Sequence, residues 1–305
     1  MDSKLNIFLA TDYSEAVMNA ERYAFEISKK TDSDLTIMHV YDTPFSFPLE
    51  TEEYIKEAER LRKFELRKLK GHCEKLMQSL NIRQNEINWK YVVLEGNIGS
   101  EIKKEAEHNR PDFIITGKHN SEEVSFLGIS HAWQIIKKSN FPILSIPPSA
   151  LLTDIKKIVF AAEYREGEIS GILSLVKIAK KFDAELVVLH ISNHMLAKDF
   201  ETQLYDKFKA DVQAKVPYEK LKLRLVYAED IAEGLNNFCL STKADWLVVS
   251  HSRSFQFGKS FTKEMSLHSQ IPLLVVPDFY MYSSKEPTEA ITETLIFKQK
   301  DYTPG

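Results

Sequence analysis

With 305 residues, 43% hydrophobic and 28% charged, the chain has the composition of a folded globular protein and the length for two domains with a core each. A net charge of -4 gives no basic footprint, which excludes nucleic acid as an implied partner. Two cysteines, Cys73 and Cys239, exclude a disulfide framework or a cysteine-rich metal site; with no signal-like start and no apolar run near the roughly 18 residues of a membrane span, the sequence predicts a cytoplasmic protein without a membrane partner.

Short apolar runs at 5–10, 34–41, 88–94, 112–116 and 142–147, most of them rich in Ile, Leu, Val and Phe, predict strands buried on both faces of a parallel sheet. Helical patterns lie between them. Segment 14–30 starts at Ser14, a candidate N-cap, and carries Val17, Ala20, Tyr23, Ala24 and Ile27 at helical spacing. The long charged segment 50–80 has an inner stripe of Ala58, Leu61, Leu69, Cys73, Leu76 and Leu80. Ile98, Ile102 and Ala106 mark a third helix, and Ala132, Ile135 and Ile136 a fourth. The alternation predicts an α/β fold, a five-stranded parallel sheet with helices on both faces.

The pattern then returns. Ile7 to Tyr13 reappears as Ile158 to Tyr164, and Asp34 to Val40 as Glu185 to Ile191, both at an offset of 151 (158 − 7 and 185 − 34). Asp112 to Thr116 reappears as Asp245 to Val249 at 133 (245 − 112), and Phe141 to Pro147 as Ile271 to Pro277 at 130 (271 − 141). Ordered matches of this length indicate two copies of one domain rather than a solenoid. Strands are therefore expected again near 156–161, 185–191, 221–228, 245–249 and 272–276, with domains at 1–148 and 153–278. The fall in offset predicts a shorter second copy, chiefly in the helix that matches 50–80. The proline-bearing link 147–153 restricts domain wandering. Residues 279–305 read as a polar extension in which Thr294 to Phe297 forms an edge strand or the whole segment is disordered.

Ligands of open parallel sheets bind at the carboxyl ends of the strands. In the first copy those ends carry Thr11-Asp12, Tyr41-Asp42 and Gly117-Lys118-His119-Asn120. Asp12 either accepts hydrogen bonds from a base or ribose or turns the chain into its helix, and the sequence leaves both readings open. His39 and His190 occupy equivalent buried strand positions and read as core histidines with a local hydrogen bond. Gly258-Lys259-Ser260 fails as a phosphate loop because Arg253 stands where its first glycine is needed. No nucleophile–base pair, acid pair or metal-ligand spacing can be assembled, so no catalytic residue is assigned.

The chain resembles the universal stress protein family in its tandem form, over about residues 4–277. The resemblance is carried by Thr11-Asp12-Tyr13-Ser14, by Ile37-Met38-His39-Val40, by Ile114-Ile115-Thr116-Gly117, and above all by the closing segments Ile135 to Leu144 and Met265 to Leu274. It implies two flavodoxin-like domains of the adenine nucleotide alpha hydrolase-like type, pairing through their fifth strands, and ATP binding in some members. The implied site for an ATP-like ligand comprises Asp12, Val40, Gly117, Asn120, Gly128 and Ser130. The pattern is kept imperfectly: Asn120 replaces a glycine, Gly128 and Ser130 arrive early, and in the second copy Glu163, Ser250 and Arg253 replace Asp12, Gly117 and the second glycine. Ser130 and Ser260 also read as helix caps. The resulting expectation is a non-catalytic stress-response protein with a nucleotide or small-ligand site in the first domain and a degenerate one in the second. The alternatives are a weak ATPase or other nucleotide-dependent enzyme, and a purely structural interaction protein with no nucleotide. A protein partner, fifth-strand pairing within the chain and a homodimer are the associations the resemblance admits.

Overall fold

The computed structural model describes residues 4–43, 52–118, 131–150, 154–164, 168–193, 198–251, 264–265 and 269–277. The first half runs β1 (Asn6–Thr11), α1 (Glu15–Thr31), β2 (Asp34–Tyr41), α2 (Glu52–Ser79), a 3-10 turn (Gln84–Glu86), β3 (Asn88–Glu95), α3 (Ile98–Asn109), β4 (Phe113–Gly117), α4 (His131–Lys138) and β5 (Ile143–Ile146). The second runs β6 (Lys157–Ala161), α5 (Glu168–Phe182), β7 (Glu185–Ser192), α6 (Lys198–Lys215), β8 (Leu221–Tyr227), α7 (Ile231–Thr242), β9 (Trp246–His251) and β10 (Leu273–Pro277).

The ten strands among the described residues form one sheet in the order β3-β2-β1-β4-β5-β10-β9-β6-β7-β8. Pairing is parallel within each half; where the halves meet, β5 and β10 pair antiparallel with Leu144 opposite Leu274. The fifth strands thus pair within one chain. Strand periodicity sorts the core into two layers. Ile7 and Leu9 pack under α1 and α2, and Ile158 and Phe160 under α5 and α6; Phe8, Ala10, Val159 and Ala161 face the opposite layer, with Ile102 and Ile135 in the first half and Leu235 in the second. Both faces are therefore apolar, as a parallel sheet covered on both sides requires.

Two recurring aspartates fasten the starts of strands. Asp112 accepts from the Asn6 backbone N–H at 2.7 Å, and Asp245 from those of Lys156 and Lys157 at 2.7 and 2.8 Å. The expected inner face of α1 is correct: Val17, Ala20, Tyr23, Ala24 and Ile27 are all buried. Ser14 does hold the N-cap position, but its side chain makes no capping bond and its hydroxyl oxygen is buried without a partner. The expected stripe of α2 is buried at Leu69, Cys73 and Leu76, whereas Ala58 and Leu61 are only partly covered. As expected, α6 is the shorter counterpart, 18 residues against 28.

The seam between the halves is packed. Trp246 is 0% exposed, donates its indole N–H to the Tyr23 hydroxyl at 2.6 Å, and meets Phe113 and Phe182 edge-on at 5.9 and 5.5 Å. Asn19 fastens the connecting segment by donating to the carbonyls of Pro147 and Ala150 at 2.8 and 2.6 Å.

Candidate functional site

The order of the first five strands reverses between β1 and β4, and such a switch point opens a crevice at the strands' carboxyl ends. Leu9 pairs with Ile115 and Thr11 with His39, so Asp12, Val40 and Gly117 come together around the end of β1. Asn120, Gly128 and Ser130 lie outside the described residues, as do Arg253, Gly258 and Ser260.

Asp12 has the turn-forming role. Its Oδ1 accepts from the Ser14 N–H at 2.9 Å, while Tyr13 adopts a left-handed φ of 64° and donates its N–H to the Thr11 hydroxyl at 3.0 Å. Asp12 is half-buried, so this role does not withdraw it from a ligand. Gly117 is explained by packing. A Cβ there would stand 2.7 Å from the Val17 Cα and 2.8 Å from the Ala16 carbonyl oxygen, because the start of α1 presses on the end of β4. Gly117→Ala is therefore expected to lose about 3 kcal/mol, since backbone rather than a flexible side chain must move. Thermal unfolding checks this, and an unchanged midpoint would contradict it. In the second half Ser250, also buried, occupies the equivalent place.

Lys118 follows Gly117 and reaches across the seam. Its Nζ donates to the Ser269 carbonyl at 2.7 Å, and burial pushes the ammonium pKa down to about 8.

Around Tyr13 the two halves repeat a cluster. The Tyr13 ring lies 4.3 Å from that of His39, whose Nδ1 donates to the Thr11 carbonyl at 2.9 Å and whose Nε2 stands 3.7 Å from Glu65. In the second half Tyr164, with φ 60°, lies 4.1 Å from His190; Nδ1 of that ring donates to the Ala162 carbonyl at 2.6 Å, and Nε2 stands 3.6 Å from Glu201. The local-bond reading of both histidines is correct. Burial is the larger influence on His39 and lowers its pKa against the pull of Glu65. Burial likewise raises the hydroxyl pKa of Tyr13 and Tyr164.

The halves differ beside this cluster. Glu21, 1% exposed, accepts from the Thr11 hydroxyl and lies 2.9 and 2.8 Å through its two oxygens from His72 Nε2. The His72 ring meets Tyr13 edge-on at 5.1 Å, and Lys68 sits 4.4 Å over the Tyr13 ring. At the 151 offset, Ala162 and Ile172 replace Thr11 and Glu21. At the 136 offset that relates Glu65 to Glu201 (201 − 65), Leu204 and Phe208 replace Lys68 and His72. Phe208 lies 5.0 Å from Tyr164. Sequence reading missed Glu21, Glu65, His72 and Glu201. The one signal for Glu21 was its apolar counterpart Ile172. Among the described residues, no three His, Cys, Asp or Glu side chains stand together as a metal site, and no helix is long and apolar enough to cross a membrane.

The family model described as the universal stress protein family matches residues 5–147. No curated protein matches the chain. A universal stress protein from Archaeoglobus fulgidus DSM 4304 superposes with a TM-score of 0.64 at 15% identity, over 90% of this chain and 100% of that one. A protein from Pseudomonas aeruginosa UCBPP-PA14, assigned as a universal stress protein, gives 0.55 at 14% identity, over 90% and 93%. At these identities the likeness is one of fold. The first half of the chain thus matches the universal stress protein family, and the fold of solved proteins of that name extends through both halves.

Proposed function

We propose that this protein is a non-catalytic stress-response module with one site for an ATP-like nucleotide, in the first half. The proposal treats residues 1–148 and 153–278 as two copies of one domain, the second no longer serving that ligand. The observation that carries the reading is the meeting of Asp12, Val40 and Gly117 at the switch point of the first five strands. A carboxylate there offers acceptors to ribose hydroxyls or a base N–H, and Val40 offers apolar surface beside it. The second half presents Glu163 and Ser250 instead, and the Glu163 backbone N–H donates to Glu168 at 2.9 and 3.1 Å.

Calorimetry with ATP tests this. One nucleotide per chain is expected, with Asp12→Ala weakening it at least tenfold, about 1.4 kcal/mol, and Glu163→Ala leaving it unchanged. No binding at millimolar ATP would refute the reading. Turnover above the buffer rate would favour the ATPase instead.

A further inference from the structure

We infer that Thr11, Glu21 and His72 form a positioning network, particular to the first half, that holds the loop bearing Asp12 in shape for its ligand. The inference rests on the reading of that loop as part of a ligand site. The Thr11 hydroxyl lies at its centre, donating to the Glu21 carboxylate and accepting from the Tyr13 N–H at 3.0 Å. Asp12 lies between those two residues, and its own carboxylate closes the turn on the Ser14 N–H. His72, from α2, closes the Glu21 carboxylate on its outer side, within hydrogen-bond distance of both oxygens. One end of the network is thus a partly exposed imidazole and the other is the backbone on either side of Asp12.

The fold does not require this arrangement. The second half makes the same left-handed turn at Tyr164 and the same tyrosine–histidine stack with Ala162, Ile172 and Phe208 in the three places. All three of those side chains are buried and apolar. A carboxylate taken out of water carries a desolvation cost that such side chains avoid. The first half retains the costlier solution next to its candidate ligand residue, and departures of that kind are expected where a site is held for function. The substitutions also agree with one another. Where the hydroxyl is absent the carboxylate is absent too, and where the carboxylate is absent its histidine is a phenylalanine. A surface glutamate that happened to be covered would not need its partners replaced in concert.

The test gives the first half the second half's solution, Thr11→Ala, Glu21→Ile and His72→Phe together. Three readouts are used: unfolding temperature, calorimetric ATP affinity, and amide exchange of Tyr13 and Ser14. The triple variant is expected to unfold within a few degrees of the parent, bind ATP at least tenfold more weakly, and exchange those amides at least tenfold faster. His72→Gln, which keeps an N–H donor toward Glu21, is expected to retain parental affinity and exchange within threefold. Should the triple variant fail to fold, Thr11→Val, which removes only the hydroxyl, is held to the same criteria. ATP affinity equal to the parent's in the folded variant overturns the inference. If the parent itself binds no ATP, the ligand reading fails separately; unchanged Tyr13 and Ser14 exchange then overturns the network, and the tenfold acceleration upholds it.

Discussion

Replacing Trp246 with alanine is expected to destabilise the protein by about 4 kcal/mol, the scale for removing a fully buried large aromatic. The side chain sits where the halves meet, between Phe113 of the first and Phe182 of the second, and its indole N–H is bonded to Tyr23. Alanine opens a cavity between these rings and removes the donor to a hydroxyl that is itself buried. The midpoint of thermal unfolding should fall by roughly 6 °C, given the unfolding entropy of a chain this size. Trp246→Phe keeps most of the packing and should lose less than half as much. An alanine variant as stable as the parent would mean that the seam contributes little to the fold.

His72→Phe alone is expected to cost about 3 kcal/mol, because it leaves the Glu21 carboxylate in the core with only the Thr11 hydroxyl to offset its lost hydration. The informative result is the rescue. Adding Glu21→Ile should recover most of the loss, since the second half fills the equivalent places with Ile172 and Phe208, both buried. Urea unfolding of the two single variants and the double variant gives their coupling directly. Additive losses would show that Glu21 and His72 do not stabilise each other.

The sheet was legible because its strands are continuous apolar runs and because the chain states them twice. Helix α1 was equally plain, as its inner residues recur at helical spacing. Ser14 was half right: the backbone begins the helix there, but the turn is secured through Asp12 and Thr11, and nothing local in the sequence distinguishes those acceptors. The outer end of α2 is less deeply buried than its apolar period suggests: Ala58 and Leu61 are only partly covered, Leu61 packing against the rim of the core. Of the candidate site residues, Asp12 and Gly117 were legible as strand-end residues and Val40 only through the family resemblance; the fold places all three around the end of β1. Glu21 could not be found that way. It follows Ala20 and precedes Arg22 in a helix, where a glutamate ordinarily faces water, and its histidine partner is 51 residues away. Its burial is decided by α2 lying over α1, which only the fold brings about. Gly117 was legible as special, but the sequence could not separate a glycine kept for a phosphate from one kept so that α1 can approach β4.

The central claim is that one fold written twice retains its ligand in one copy only. Backbone hydrogen exchange of the whole chain with and without ATP tests it most directly. The expected result is slower exchange at residues 11–14 and at the ends of β2 and β4 on adding ATP, with no change at residues 162–164 or at the end of β9. Equal protection at both sets, or protection at the second set alone, would contradict the account.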